Sequence, residues 1–254
     1  MTARPVAYER RGAAALVTID RPERRNAVDG PTAELLAEAF ERFEADAQAR
    51  VLVISGAGEE AFCAGADLKA METFRDRLDD PGGPLGFTRR IPSKPTVAAV
   101  SGWCLAGGLE LALWCDLRIA TPSATFGLPE RRWGVPLIDG GTQRLPRVVG
   151  LGRALDLILT GRMVSAEEAR TIGLVTEIAE PGAHVARALE LAEAVAAFPQ
   201  ETVLSDRRAV LEGLGTTLTE GLALEAALGR ASSPTGERGA ARFAAGEGRG
   251  GAGV

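Results

Sequence analysis

Glu110 lies inside the apolar run GGLELALW, and Glu130 closes the segment FGLPE. A carboxylate among apolar neighbours either faces solvent or is held at a cost that a function offsets. Residue type alone makes a lone loop glutamate such as Glu130 a solvated acid. Two stretches almost without side chains set these acids in context. One is FCAGADLK, 62–69, which follows the strand-like VLVISG; the other is SGWCLAGG, 101–108, which follows TVAAV. Each runs from an apolar strand into a helix, where the first backbone N–H groups have no partner inside the helix. Gly and Ala leave those N–H groups open to a close ligand, and the helix dipole adds partial positive charge. Two such amides aimed at one point form an oxyanion hole. Close packing of strand on helix would also explain either stretch taken singly. Acidic residues beside the second loop strengthen the oxyanion-hole reading.

Composition narrows the classes. The chain has 254 residues, a net charge of −5 and one histidine, His184. A histidine-based triad or a metal site with several histidines is thereby disfavoured, and His184 reads as structural. No metal site or redox cofactor is expected. Cys63, Cys104 and Cys115 show neither CxxC nor zinc spacing, lie in apolar segments and read as buried free thiols of a reducing compartment. The acidic balance gives no sign of nucleic-acid or membrane attraction. MTARPVAYER lacks the apolar segment of a signal peptide, so a cytoplasmic location is expected. The stretch 96–115 has the length of a membrane span, but Gly102, Gly107, Gly108 and Glu110 in its middle suit a strand, a turn and a helix better.

The elements that would position these residues alternate in the first half of the chain. Strands are expected at 14–19, 51–55, 96–100 and 117–120, with a short extended piece at 125–127. Helices are expected at 34–43, 68–76, 84–91 and 107–114. This alternation indicates an α/β fold with parallel strands. Beyond Pro146 helical patterns take over, at 152–160, 165–172, 184–197, 201–213 and 217–230, interrupted by a strand at 174–178. A further helix is expected around 239–245, before a frayed Gly-rich end. We divide the chain into a core, 1–198, and a helical tail, 199–254, that serves as an oligomerisation element or as an ordinary helical layer.

The stretches FCAGADLK, LAGGLELALWCDLRIA, FGLPE, GGTQRLPRVVG and LILTGRMVSAEEARTIGLV resemble the enoyl-CoA hydratase/isomerase (crotonase) family over nearly the whole chain. The resemblance implies a superhelix of strand–strand–helix turns, with a C-terminal helical region that builds trimers, often paired into hexamers. It also implies an acyl-CoA substrate, and no cofactor beyond the CoA that the substrate carries. By the same resemblance the amides of Ala66 and Gly107 match the oxyanion hole, and Glu110 and Glu130 match the two catalytic acids of the hydratases. Arg25 and Lys69, with Ala64, Asp67 and Leu68, match the neighbourhood of the CoA moiety. The segment RRWGVPLIDGG, 131–141, departs from the family pattern: Ile138 stands where many hydratases have a small residue that helps locate the water. Asp139 beside it is either the cap of a helix beginning at Gly140 or a third acid in the site. Arg131 and Arg132 could lower the pKa of Glu130 or turn it outward. Hydration of a 2-enoyl-CoA is the leading expectation, with isomerisation or hydroxyacyl-CoA dehydration as the alternative. A non-catalytic or RNA-binding member that uses the fold as a scaffold fits the net charge and the lack of a basic patch less well.

Overall fold

The computed structural model describes residues 4–248. The chain opens with a hairpin, β1 (Val6–Arg11) and β2 (Ala14–Ile19), turned at Gly12. Helix α1 (Gly30–Ala45) follows; the Asp29 side chain caps it by accepting from the Thr32 N–H at 2.9 Å. Its buried face, Leu36, Ala39, Phe40 and Phe43, recurs at helical spacing. Then come β3 (Val51–Gly56), β4 (Ala61–Cys63), β5 (Thr96–Val100), β6 (Trp103–Leu105), α2 (Gly107–Trp114), β7 (Leu117–Ala120) and β8 (Thr125–Gly127). The second half contributes α3 (Gly141–Val149), α4 (Leu151–Thr160), β9 (Met163–Ser165), α5 (Ala166–Thr171), β10 (Glu177–Ile178) and α6 (His184–Ala197). Two long helices, α7 (Gln200–Gly213) and α8 (Leu218–Ala244), complete it.

A six-stranded sheet runs β1-β2-β3-β5-β7-β10 and is parallel except at β1. A four-stranded sheet runs β4-β6-β8-β9. Each of β3, β5 and β7 thus feeds a short strand of the second sheet, which gives the superhelical repeat. Strand β3 is buried on both faces: Leu52 and Ile54 join the main core, while Val51 and Val53 pack with Ala188, Ala192 and Ala196 of α6. The stretch 96–115 divides into β5, β6 and α2, and among the described residues no helix is long and apolar enough to cross a membrane.

Several expectations change. Residues 84–91 form turns, not a helix. Gly86 has φ 106°, and a side chain there would meet the Ala33 carbonyl oxygen at 2.3 Å, so this segment is fixed by close approach to α1. Its end is held by Trp114, whose Nε1–H donates to the Arg90 carbonyl at 2.7 Å and whose ring lies 4.5 Å from Phe87. Residues 68–77 form 3₁₀ turns broken at Ala70 instead of one regular helix. The strand expected at 174–178 shrinks to β10, and the helices expected at 217–230 and 239–245 are one helix, α8, running through Pro234. The Gly-rich end expected to fray falls largely on 249–254, outside the described residues.

Candidate active site

The loop after β4 is fixed from an unexpected direction. Val28 forms a parallel bridge with Ala66: its N–H donates to the Gly65 carbonyl at 2.8 Å, and its carbonyl accepts from the Asp67 N–H at 2.7 Å. In extended backbone successive N–H groups point to opposite sides, so the Ala66 N–H faces away from Val28. Asn26, fully buried, anchors the approach by donating to the carbonyls of Ala57 and Ala61. The second loop turns at Ala106, whose φ of 52° and ψ of −125° match the first central position of a type II′ turn. Such a conformation costs a non-glycine residue about 1–3 kcal/mol. The Ala106 N–H bond to the Gly127 carbonyl, at 2.9 Å, helps hold it.

The two loops meet. A side chain on Gly65, whose φ is 92°, would lie 2.9 Å from the Gly107 nitrogen; one on Gly107 would lie 3.7 Å from the Ala66 nitrogen. Side chains are missing from FCAGADLK because the two amides share one small space. Among the described residues neither the Ala66 nor the Gly107 N–H donates to a protein acceptor.

Both amides border a cavity of about 170 Å³. Glu110, Glu130 and Asp139 line it together with Ala64 and Leu68. Met71, Phe74, Leu78 and Leu85 form one apolar side, and Trp133, Val135, Pro136 and Ile138 another. The lining is otherwise apolar and includes no basic side chain. Apart from Ile138, the sequence pattern did not single out these apolar residues; they come from segments whose irregular backbone leaves no periodic trace.

Glu110 is buried on α2. Its Oε1 accepts from the Asp139 N–H at 3.0 Å and the Gly141 N–H at 2.7 Å. Burial, reinforced by the Asp139 and Glu130 carboxyls, outweighs these bonds and pushes its pKa up to about 8. With Oε1 occupied, the proton of the neutral form resides on Oε2. Glu130 is buried within the 3₁₀ turn Pro129–Trp133, not solvated, and neither of its oxygens has a hydrogen-bond partner among the described residues. The Arg131 guanidinium lies 3.7 Å from Oε1, yet burial dominates and raises the pKa of Glu130 as well. Arg131 and Arg132 therefore do not turn this acid outward. Asp139 does not cap α3, whose N-cap is Gly140 without a side-chain bond. Its Oδ1 accepts from the Leu85 N–H at 3.1 Å and from the Thr88 hydroxyl.

The remaining expected site residues separate. Ala64 and Leu68 line the cavity. Asp67 caps the 3₁₀ turns through the Lys69 N–H at 3.1 Å and pairs with Arg21 at 3.2 Å. Arg25 is exposed and pairs with Glu60 at 2.8 Å; Lys69 is exposed. Neither basic side chain borders the cavity. His184 begins α6, buried and away from the cavity lining.

Two expected results follow. Glu110 has its pKa raised from 4.5 to about 8 in the folded chain, so folding favours its protonated form. Its contribution to stability is full below the unfolded pKa and declines as pH rises toward the folded value. Across that window Glu110→Gln should gain melting temperature relative to the parent, and the difference should level off at higher pH; differential scanning calorimetry at several pH values checks this. The buried thiols of Cys63 and Cys115 are pushed up to about 12 by desolvation, and that of Cys104 is also raised. They are thus protonated and poor nucleophiles. Serine at each position should leave most activity intact, and mass spectrometry of the parent with substrate should find no acylated cysteine.

Buried carboxyl groups beside two free amides define a site for acid–base chemistry on a carbonyl compound whose oxygen gains charge. The sequence pattern of the enoyl-CoA hydratase/isomerase family matches residues 9–244, and the chain belongs to that family. It is 38% identical over 224 residues to the short-chain-enoyl-CoA hydratase of Clostridium acetobutylicum, covering 87% of this chain and 86% of the relative. It is 36% identical over 216 residues to the crotonyl-CoA hydratase of Syntrophomonas wolfei, covering 84% and 83%. The crystal structure of an enoyl-CoA hydratase from Mycobacterium marinum superimposes with a TM-score of 0.88 at 39% identity, covering 95% of this chain and 96% of that one. The fold is accordingly the crotonase fold, with a helical C-terminal region.

Proposed function

We propose that the protein is an enoyl-CoA hydratase, a lyase that adds water across the C2–C3 double bond of a 2-enoyl-CoA. One observation carries this reading: Glu110 and Glu130 face the same cavity as the unpaired amides of Ala66 and Gly107. The thioester oxygen accepts from the two amides, which stabilise it as it becomes an enolate oxygen. Glu130 carries the charge, beside Arg131, and takes a proton from water as the oxygen bonds to C3. Glu110 carries a proton on Oε2 and gives it to C2. A proton passed from Glu130 to Glu110 through solvent resets the pair. No metal or redox cofactor enters these steps; the CoA belongs to the substrate. Its nucleotide would lie outside the cavity near Arg25 and Lys69, with Ala64, Asp67 and Leu68 along the way. Disappearance of the ultraviolet absorbance of a conjugated enoyl thioester on adding protein tests the reading; an unchanged spectrum with crotonyl-CoA and longer enoyl-CoA substrates rejects it.

Ile138 favours a second reading. Its side chain occupies cavity wall where a small residue would leave room for water, which suits 3-enoyl to 2-enoyl isomerisation with one shuttling carboxyl; hydroxyacyl-CoA dehydration, the reverse of hydration, needs the same room for water and gains nothing from it.

We further propose that 199–254 is an oligomerisation region appended to the 1–198 core, giving a trimer or a pair of trimers, in a cytoplasmic enzyme of fatty acid metabolism without nucleic-acid or membrane partners. Helix α7 buries none of its residues and α8 buries only Thr235, while Val210, Leu214, Leu218, Leu222 and Phe243 are exposed. Arg207 moors α7 to the core through Asp116 at 2.9 Å and the Pro92 carbonyl at 2.8 Å. Deletion from residue 200 onward should yield a protein that no longer trimerises; light scattering that still reports a stable trimer would refute this.

A further inference from the structure

Asp139 is tied to both halves of the site. Its N–H donates to Glu110 Oε1, beside the Gly141 N–H on the same oxygen. Its own Oδ1 accepts from the Leu85 N–H and the Thr88 hydroxyl, which belong to the irregular segment between the apolar wall and β5. Leu85 in turn abuts the oxyanion side, since a carbon added to Gly107 would touch Leu85 Cδ1 at 3.0 Å. Arg144 closes the ring by donating to the carbonyls of Asp139 at 2.9 Å and Thr88 at 2.6 Å. Asp139 and Thr88 are both buried. A carboxyl serving only as surface solubiliser or helix cap would show none of these contacts.

We propose that Asp139 is a positioning residue for Glu110: its amide orients that carboxyl, its side chain locks the Leu85–Thr88 turn that packs toward Gly107, and its carboxylate stands beside Glu110 as a like charge. The inference rests on the hydratase reading only for its kinetic readout. Asp139 and Glu110 interact as like charges, and Asp139 is the better-supported anion. Burial raises its pKa too, opposed by its hydroxyl and amide donors and by the Arg89 and Arg144 guanidiniums; Arg144 also faces Glu110. Glu110 has two amide donors, and Asp139 and Glu130 both oppose its ionisation. The other groups facing the pair are Arg131 beside Glu130 and the Cys63 thiol, whose ionisation Asp139 opposes. Within the pair, the Thr88 hydroxyl and Arg89 favour the charge on Asp139, while burial favours the proton on Glu110.

The test compares Asp139→Asn, Asp139→Ala and Thr88→Val. Asn retains an acceptor at Oδ1 and the backbone amide while removing the charge. In Asp139→Asn the high-pH limb of the kcat/KM profile should move down by about one pH unit, with KM changed less than twofold. In Asp139→Ala the turn loses its tie, and kcat should fall by about 10- to 100-fold at every pH, with Asn restoring most of the low-pH rate. Thr88→Val should lower kcat in the same direction but less. Infrared titration of ¹³C-glutamate-labelled protein, assigned with Glu110→Gln, reads the Glu110 proton without turnover and should show the same downward shift in Asp139→Asn. An unshifted Glu110 titration, or an Asp139→Ala enzyme with kcat within twofold of the parent, overturns the proposal. Absence of hydration by the parent itself would reject the hydratase reading, and the infrared titration would still decide on Asp139.

Discussion

Glu110→Gln and Glu130→Gln are each expected to cut hydration turnover by about 10²-fold or more, since a positioned acid or base contributes about 10²–10⁴. The structure makes glutamine a clean probe at both positions. At Glu110 the amide oxygen can still accept from the Asp139 and Gly141 N–H groups, so orientation survives while the transferable proton on Oε2 is lost. At Glu130 neither carboxyl oxygen has a hydrogen-bond partner among the described residues, so only the 3.7 Å ion pair with Arg131 is lost. Substrate binding should change little because the Ala66 and Gly107 amides are untouched. The double variant should lose far less than the product of the single losses, as for groups acting as a unit. Steady-state kinetics with a 2-enoyl-CoA checks all three. If only one substitution is severe and 3-enoyl-CoA is converted without net hydration, the isomerase reading replaces the hydratase one.

The parts of this site differ in how far the sequence discloses them. The cleared loops and Glu110 were legible because their residue types are unusual for their place: glycine and alanine after a strand, a carboxylate inside GGLELALW. The alternating core was legible too, because strands such as β3, buried on both faces, read as unbroken apolar runs. Strands β4, β6 and β9 have three residues each, too few for any periodicity. The 84–91 segment, PLGFTRRI, reads as a short helix only if Pro84 and Gly86 are discounted, and its path is set by the close approach of Gly86 to Ala33, a tertiary constraint that no local pattern records. Val28 and Leu85 bear on the site through backbone N–H and C=O groups and packing, and Thr88 through its hydroxyl, all from distant segments. The burial of Glu130 likewise arises from the walls around it, where residue type alone indicated a solvated acid. Helix α8 hid its continuity behind Ser232-Ser233-Pro234, a breaker pattern that the folded helix accommodates beside α7.

Gly108→Ala should damage stability and activity together. A β-carbon at Gly108 would sit 2.0 Å from the Cys63 carbonyl oxygen, 2.7 Å from its carbonyl carbon and 3.0 Å from its Cβ. These are backbone atoms of β4 and the root of a fully buried side chain, so no flexible group can swing aside. The start of α2 must retreat from β4, at a cost on the order of 1–3 kcal/mol for overpacking. That retreat carries the Gly107 amide away from the Ala66 amide, and loss of one oxyanion donor costs about 10²–10³ in kcat. Gly152→Ala is the matched control. It adds the same methyl to helix α4, where nothing lies within 4 Å of the new carbon, and alanine's helix propensity there should leave stability unchanged or raise it by a few tenths to about 1 kcal/mol. Chemical denaturation and kinetics of the two variants side by side check the argument. A Gly108→Ala enzyme with parental turnover would mean that the amide of Gly107 does not hold the thioester oxygen. The oxyanion hole would then have to be sought elsewhere in the cavity.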